Sequence, residues 1–260
     1  MIEKAFLKLG ARVRIEGTEK ISSPVTIDIQ RDRRGEFFLL KHASNIVPDL
    51  TVLNVQPRDR HLLLMSRVGD EKQKFLCGHD ERHWFVAAIP ESAPVSNVAQ
   101  AKTALKPTQV LEREQRSAIR RKHIDRRRNG AFIRQGEWFF VPEPELGVPE
   151  LLIIKDEPLV RSRMGKPHLA EECYRTGGER VYVSRLAPEG LSEAAYRKRL
   201  QEDPGAGRLP WRSMRRNPRV YVRGRITHPD HATVALTVWH RVYMNTETQA
   251  KANAAVVFLD

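Results

Sequence analysis

Apolar residues over the first 95 positions alternate with polar ones or gather in short runs, the pattern of strands. In ARVRIEG, Val13 and Ile15 fall on one face and Arg12 and Arg14 on the other, and Val25, Ile27 and Ile29 repeat the alternation. GEFFLLK, LTVLNV, RHLLLMSRV and HWFVAAIP are longer apolar runs, as expected of strands covered on both faces. They recur about every ten residues with Gly, Pro and Asp between them, which predicts a meandering antiparallel sheet. The period then changes. Val98, Ala101 and Leu105 stand at helical spacing, after a cap at Ser96 and before a stop at Pro107. LEREQRSAIRRKHIDRRRNG, from Leu111 to Gly130, has helix-forming composition, a thin apolar stripe (Leu111, Ala118, Ile119, Ile124) and an Asn-Gly stop, and reads as a basic connector helix.

From Ala131 the strand pattern returns. AFIRQGEWFFVPEP predicts a hairpin about Gln-Gly, PELLIIKDEP a short buried strand, and ECYRTGGERVYVS a hairpin about Thr-Gly-Gly. LSEAAYRKRLQEDPG predicts a helix capped by Ser192 and broken at Pro204. Two alternating strands around HPDHAT predict a long hairpin over 219–246, and Thr246 with Gln249 matches a capping box. The fold class is α+β, predominantly antiparallel β with a few short helices and one basic connector helix. The expected organisation is a β-rich N-terminal domain over 1–107, the connector over 108–130 and an α+β C-terminal domain over 131–260.

Composition adds a partner. The 260 residues carry a formal net charge of +13, which favours an anionic partner: nucleic acid first, then an anionic membrane surface, for which the basic segment lacks the bulky apolar face, then an acidic protein. Two cysteines are too few for a disulfide framework, and no apolar run approaches the roughly 18 residues of a membrane helix. The expectation is a reduced, soluble, cytoplasmic protein with no membrane partner. A GC-rich gene also raises arginine content, so the clustering of the charges carries more weight than their number.

Two clusters stand out. Between Glu112 and Arg128 lie Arg113, Arg116, Arg120, Arg121, Lys122, Arg126, Arg127 and Arg128, against the acids Glu112, Glu114 and Asp125. On a helix Arg113, Arg116, Arg120 and Arg127 would share one side, where like charges repel unless phosphates neutralise them. The second cluster, RSMRRNPRVYVRGR, carries Arg212, Arg215, Arg216, Arg219, Arg223 and Arg225 with no acid, and Tyr221 and Trp211 are interleaved as stacking candidates. The chain has no RRM-type aromatic signature, no KH-type Gly-x-x-Gly loop and no paired Cys/His finger spacing.

Two segments carry histidine chemistry. In CGHDERHW, Cys77, His79 and His83 supply zinc-type ligands, and Cys173 would complete a four-ligand set. That spacing is looser than paired Cys-x-x-Cys, and the competing reading is a polar hairpin corner with Gly78 in its turn. In THPDHAT, His228, Asp230 and His231 could do acid–base work, a carboxylate orienting an imidazole, against the simpler reading of a polar turn. The chain lacks the Walker A, Gly-x-Gly-x-x-Gly, Gly-x-Ser-x-Gly, His-Glu-x-x-His and kinase signatures. The leading expectation is therefore a basic nucleic-acid-binding protein without a cofactor, RNA before DNA. The alternatives are a nuclease or other hydrolase using the His/Asp or zinc groups, and a scaffold that binds an acidic protein.

Overall fold

The computed structural model describes residues 2–19, 24–160 and 166–250. Among these the fold is β-rich, with four short helices and several largely antiparallel sheets. No helix among them is long and apolar enough to cross a membrane. The chain divides into two compact units. The first holds residues up to Phe139 together with Asp230–Ala232 and the stretch from Tyr243; the second holds Phe140–Pro229 and Thr233–Val242. Residues 108–130 fall within the first unit.

The first unit contains α1 (Ile2–Lys8), β1 (Val13–Thr18), β2 (Val25–Asp32), β3 (Gly35–Ala43), β4 (Asp49–Gln56), β5 (His61–Val68), β6 (Glu71–Asp80), β7 (His83–Ile89), α2 (Val98–Ala104), α3 (Thr108–Arg116), β8 (Ile133–Gln135) and the start of β9 (Trp138–Pro142). Strands β4 to β7 form the expected antiparallel meander. Both of its faces are covered. On one side Leu62, Leu64, Phe75 and Cys77 meet Phe6, Val25, Phe38 and Leu40. On the other, Leu63, Leu76, Ala87 and Ile89 meet Val98, Ala101 and Leu105. This explains the unbroken Leu62-Leu63-Leu64 run: consecutive strand residues point to opposite faces, and here both faces are core.

Three local expectations change. The first sheet has order β1-β3-β2, and β1 pairs with β3 in parallel. As an edge strand β1 leaves Ile15 exposed instead of burying it beside Val13. The cap of α2 is Asn97, whose side chain accepts from the Gln100 N–H, while Ser96 bonds the Gln100 side chain. The basic helix stops at Arg116; Ala118 takes φ 46° and a 3-10 turn follows at Arg121–His123. The reason is Lys106, treated below.

Gly78 sits where no side chain fits. A Cβ there would stand 2.7 Å from His61 Cδ2 and 2.8 Å from two atoms of the Phe85 ring. We expect Gly78→Ala to lower stability by about 1–3 kcal/mol by overpacking, read as a lower urea midpoint at unchanged slope.

The second unit contains the end of β9, then β10 (Ile154–Leu159), β11 (His168–Thr176), β12 (Glu179–Ser184), β13 (Ala187–Ser192), α4 (Glu193–Glu202), β14 (Arg212–Arg216), β15 (Arg219–His228) and most of β16 (His231–Met244). Strands β10, β11, β15 and β16 lie side by side in that order, and β12 lies between β13 and β14 in a smaller sheet. The Thr-Gly-Gly segment does not close a hairpin: β11 and β12 belong to different sheets. Instead β11 pairs with β15 and β12 with β14, so 168–184 and 212–228 form a two-stranded ribbon that bends at Gly177-Gly178 and Asn217-Pro218. Gly177, Gly178 and Asn217 all have positive φ, and a Cβ on Gly178 would stand 2.9 Å from the Arg216 carbonyl oxygen. PELLIIKDEP forms a 3-10 turn and then the edge strand β10, leaving Leu151 and Ile154 exposed instead of buried. Ser192 caps α4 as expected, accepting from the Ala195 N–H, and β15 and β16 flank the Pro229-Asp230 turn of the long hairpin. At the far end of β16 a 3-10 turn over Thr246–Gln249 is capped by Asn245, while Thr246 Oγ1 donates to the Ala104 carbonyl at 2.6 Å.

Candidate anion-binding site

The basic segment of the first unit folds around a buried ammonium. Lys106 Nζ donates to Glu114 at 2.9 and 3.2 Å and to the Ile124 carbonyl at 2.7 Å, and stands 3.6 Å from Asp125. On a continuous helix Glu114 and Asp125 would be about 16 Å apart along the axis, at 1.5 Å per residue. One ammonium reaches both only because the chain bends after Arg116. The shared helical side expected for Arg113, Arg116, Arg120 and Arg127 therefore does not exist.

The bend sorts the charges of the segment. Two of its three acids, Glu114 and Asp125, turn toward Lys106, and the third, Glu112, pairs with Arg116 at 3.4 Å. Arg127 turns to the β6–β7 turn and forms ion pairs with Asp80 and Glu81, and Arg134 joins Asp80 at 3.4 Å. Burial, and then the neighbouring Arg134 charge, push the Arg127 guanidinium down to about 10. Arg113 is half-buried. Arg120, Arg121, Lys122, Arg126 and Arg128 are exposed and form no ion pair among the described residues. Arg120, His123, Arg126 and Arg128 line a cleft of about 230 Å³ with Asn129 and Gly130. Asn129 Oδ1 accepts from the N–H groups of Ala131 and Phe132 at 2.8 and 3.1 Å, which shapes the far end of the cleft.

The second cluster fares differently. In the second unit Arg216 pairs with Glu179 and Arg223 with Glu172, each at 2.5 Å, and Arg225 pairs with Glu171 at 3.2 Å. Arg215 donates to the carbonyls of Gly177 and Gly178. Arg223 lies over the Trp239 ring. Tyr221 is buried and stacks on Tyr174; Trp211 donates to the Ala206 carbonyl and meets the edge of Tyr196. Both rings named as stacking candidates are thus engaged inside the unit. Arg212 and Arg219 remain exposed without an ion pair among the described residues.

The proposed zinc ligands do not converge. Cys77 is fully buried on the core face of β6, and burial pushes its thiol up. His79 packs against the edge of Trp84, and burial, then the nearby Arg60 charge, lower its pKa. His83 Nδ1 lies 2.6 Å from Glu36 Oε1. Cys173 lies in the second unit, buried on β11 between Ile154 and Val222.

Each member of the acid–base trio has neighbours of its own. His228, in the second unit, stacks on His168 at 4.2 Å, with Nε2 3.3 Å from the Lys166 carbonyl. Asp230 and His231 belong to the first unit. Asp230 Oδ1 lies 4.0 Å from His83 Nε2, and His231 Nδ1 lies 3.8 Å from Glu81 Oε2.

No family model, curated protein or solved structure matches this chain. Its chemistry is therefore read from its own residues. Two residues outside the predicted sets hold these groups in place: Lys106, around which the basic segment folds, and Glu36, which bonds His83. For Lys106 a signal existed, since a lone lysine stands between Leu105 and Pro107 at the end of an apolar helix stripe. Glu36 gave no signal, because its partner is 47 residues away.

Proposed function

We propose that the protein binds the phosphate backbone of single-stranded nucleic acid, RNA before DNA, through the loop over residues 118–130. One observation carries the reading: the acids of the basic segment are satisfied by Lys106 and Arg116, whereas Arg120, Arg126 and Arg128 line one cleft with His123 and have no carboxylate partner among the described residues. Unneutralised guanidinium groups gathered in one place are a phosphate site, and each phosphate bound releases condensed counterions. A cleft suits one strand better than the broad surface of a duplex. With Tyr221 and Trp211 engaged elsewhere, the contact reads backbone and little base identity.

The test is binding of a labelled single-stranded RNA across a salt series. Three phosphate contacts give a slope of about −2 in log K against log salt. We expect Arg120→Glu, Arg126→Glu and Arg128→Glu together to weaken binding about a hundredfold at 100 mM salt and to flatten the slope, while Arg212→Glu with Arg219→Glu changes it by less than about threefold. A salt-independent wild-type affinity, or an unaffected triple variant, overturns the reading. Preference for an acidic peptide over RNA would transfer the same cleft to a protein partner.

A further inference from the structure

The β6–β7 turn that Arg127 ties to the basic loop carries an arrangement that phosphate binding does not use. Glu36 accepts from His83 Nδ1 with one carboxylate oxygen, at 2.6 Å, and from the Trp84 N–H with the other, at 3.0 Å. Burial would raise the Glu36 pKa, but these two hydrogen bonds prevail and hold it below the usual range, so at neutral pH the group is a carboxylate. A carboxylate anchored at both oxygens keeps the His83 proton on Nδ1 and leaves Nε2 as the basic nitrogen. Nε2 lies 4.0 Å from Asp230 Oδ1, beyond hydrogen-bond reach, and the side chain is 39% exposed. The imidazole is thus oriented from behind, basic in front and open to solvent. Around it stand Glu36 from β3, His79 and Asp80 from β6, and Asp230 from the β15–β16 turn, with Arg31 acting on Glu36, Arg60 and Arg127 on His79, and Arg127 paired with Asp80.

A structural tie between β3 and the turn would need the Glu36–His83 bond alone. It would not need a second carboxylate placed before the free nitrogen. We infer that His83 is a general base acting on RNA held by the basic loop, with Glu36 as its positioning residue; this rests on the binding reading above. His83 Nε2 takes the proton of a ribose 2′-hydroxyl, and the 2′-oxygen attacks the adjacent phosphorus. The bond from phosphorus to the 5′-oxygen breaks, and that oxygen leaves with a proton from water. The products are a 2′,3′-cyclic phosphate and a 5′-hydroxyl, and the imidazolium returns its proton to solvent. Asp230 faces the nitrogen that becomes charged. No metal, oxidant or second substrate enters the balance.

The experiment incubates the full chain with a fluorogenic oligoribonucleotide in the presence of EDTA, beside the same sequence made as DNA. We expect RNA to be cut to cyclic-phosphate ends and DNA to stay intact. His83→Gln, purified identically, should cut at least about a hundredfold more slowly while binding RNA as tightly as the wild type. Glu36→Gln keeps the imidazole but loses the anchor; it should lower kcat with little change in KM and displace the pH profile, which a merely structural role would not do. If His83→Gln does not fold, Glu36→Gln still decides through its split of kcat from KM. Intact RNA with the wild type, or equal cutting by a folded His83→Gln, overturns the inference. Binding without cleavage sinks this proposal alone; absence of binding sinks the binding reading with it.

Discussion

Replacing Lys106 with alanine should cost about 3–5 kcal/mol of stability, because it leaves a buried carboxylate without its counter-ion. Both partners are almost wholly inside: the Lys106 and Glu114 side chains retain 5% and 3% of their accessible surface. The ammonium also supplies the donor for the Ile124 carbonyl and faces Asp125, so with the two oxygens of Glu114 one truncation leaves four oxygens without a partner cation. The effect belongs to the broken pair more than to the intact one. Exchanging both residues together, as Lys106→Met with Glu114→Leu, should recover most of the loss, since desolvating two charges offsets much of what their attraction gains. Chemical denaturation of Lys106→Met, Glu114→Leu and the double variant closes the cycle. A loss in the double variant equal to the sum of the two single losses would show that the pair is not the cause.

Phe38→Ala should cost a similar amount, about 3–5 kcal/mol, for an apolar reason. Phe38 is fully buried on β3, where the first sheet meets the meander. Its ring lies 4.9 Å from that of Phe6 and 5.5 Å from that of Trp84, both at inclined angles that favour aromatic pairs. Truncation removes both ring contacts and opens a cavity between two sheets, whose backbones are held by their own ladders and cannot collapse into it. Leu151→Ala is the control. That side chain is 99% exposed, so its loss should stay within about 0.5 kcal/mol. Thermal or urea unfolding of the three proteins is sufficient.

Legibility followed the range of the interaction. Leu62, Leu63 and Leu64 declare a strand covered on both sides because their neighbours along the chain are enough to show it. The Ser192 cap and the turn at Pro229-Asp230 are equally local, and both stand where the spacing places them. The basic helix failed for the opposite reason. Its composition favours helix as far as Gly130, but the gain from bringing Glu114 and Asp125 to one buried ammonium outweighs the few tenths of a kcal/mol per residue that intrinsic propensity offers. The Thr-Gly-Gly segment failed because turn residues permit a sharp corner without saying which strand the chain pairs with next.

The same division applies to the candidate site. Both arginine clusters are plain in the sequence, and nothing local tells them apart. Arg223 meets Glu172 across 51 positions and Arg127 meets Asp80 across 47, so strand pairing and the path of the loop decide which guanidinium groups find carboxylates. By itself the sequence determined the strand-rich pattern, the positive charge and where along the chain that charge gathers, all properties of neighbours in line. Only the tertiary structure decided which charges remain open to a partner and which imidazole is held by a carboxylate, because ion pairs and hydrogen bonds act over a few ångströms of space whatever the distance along the chain.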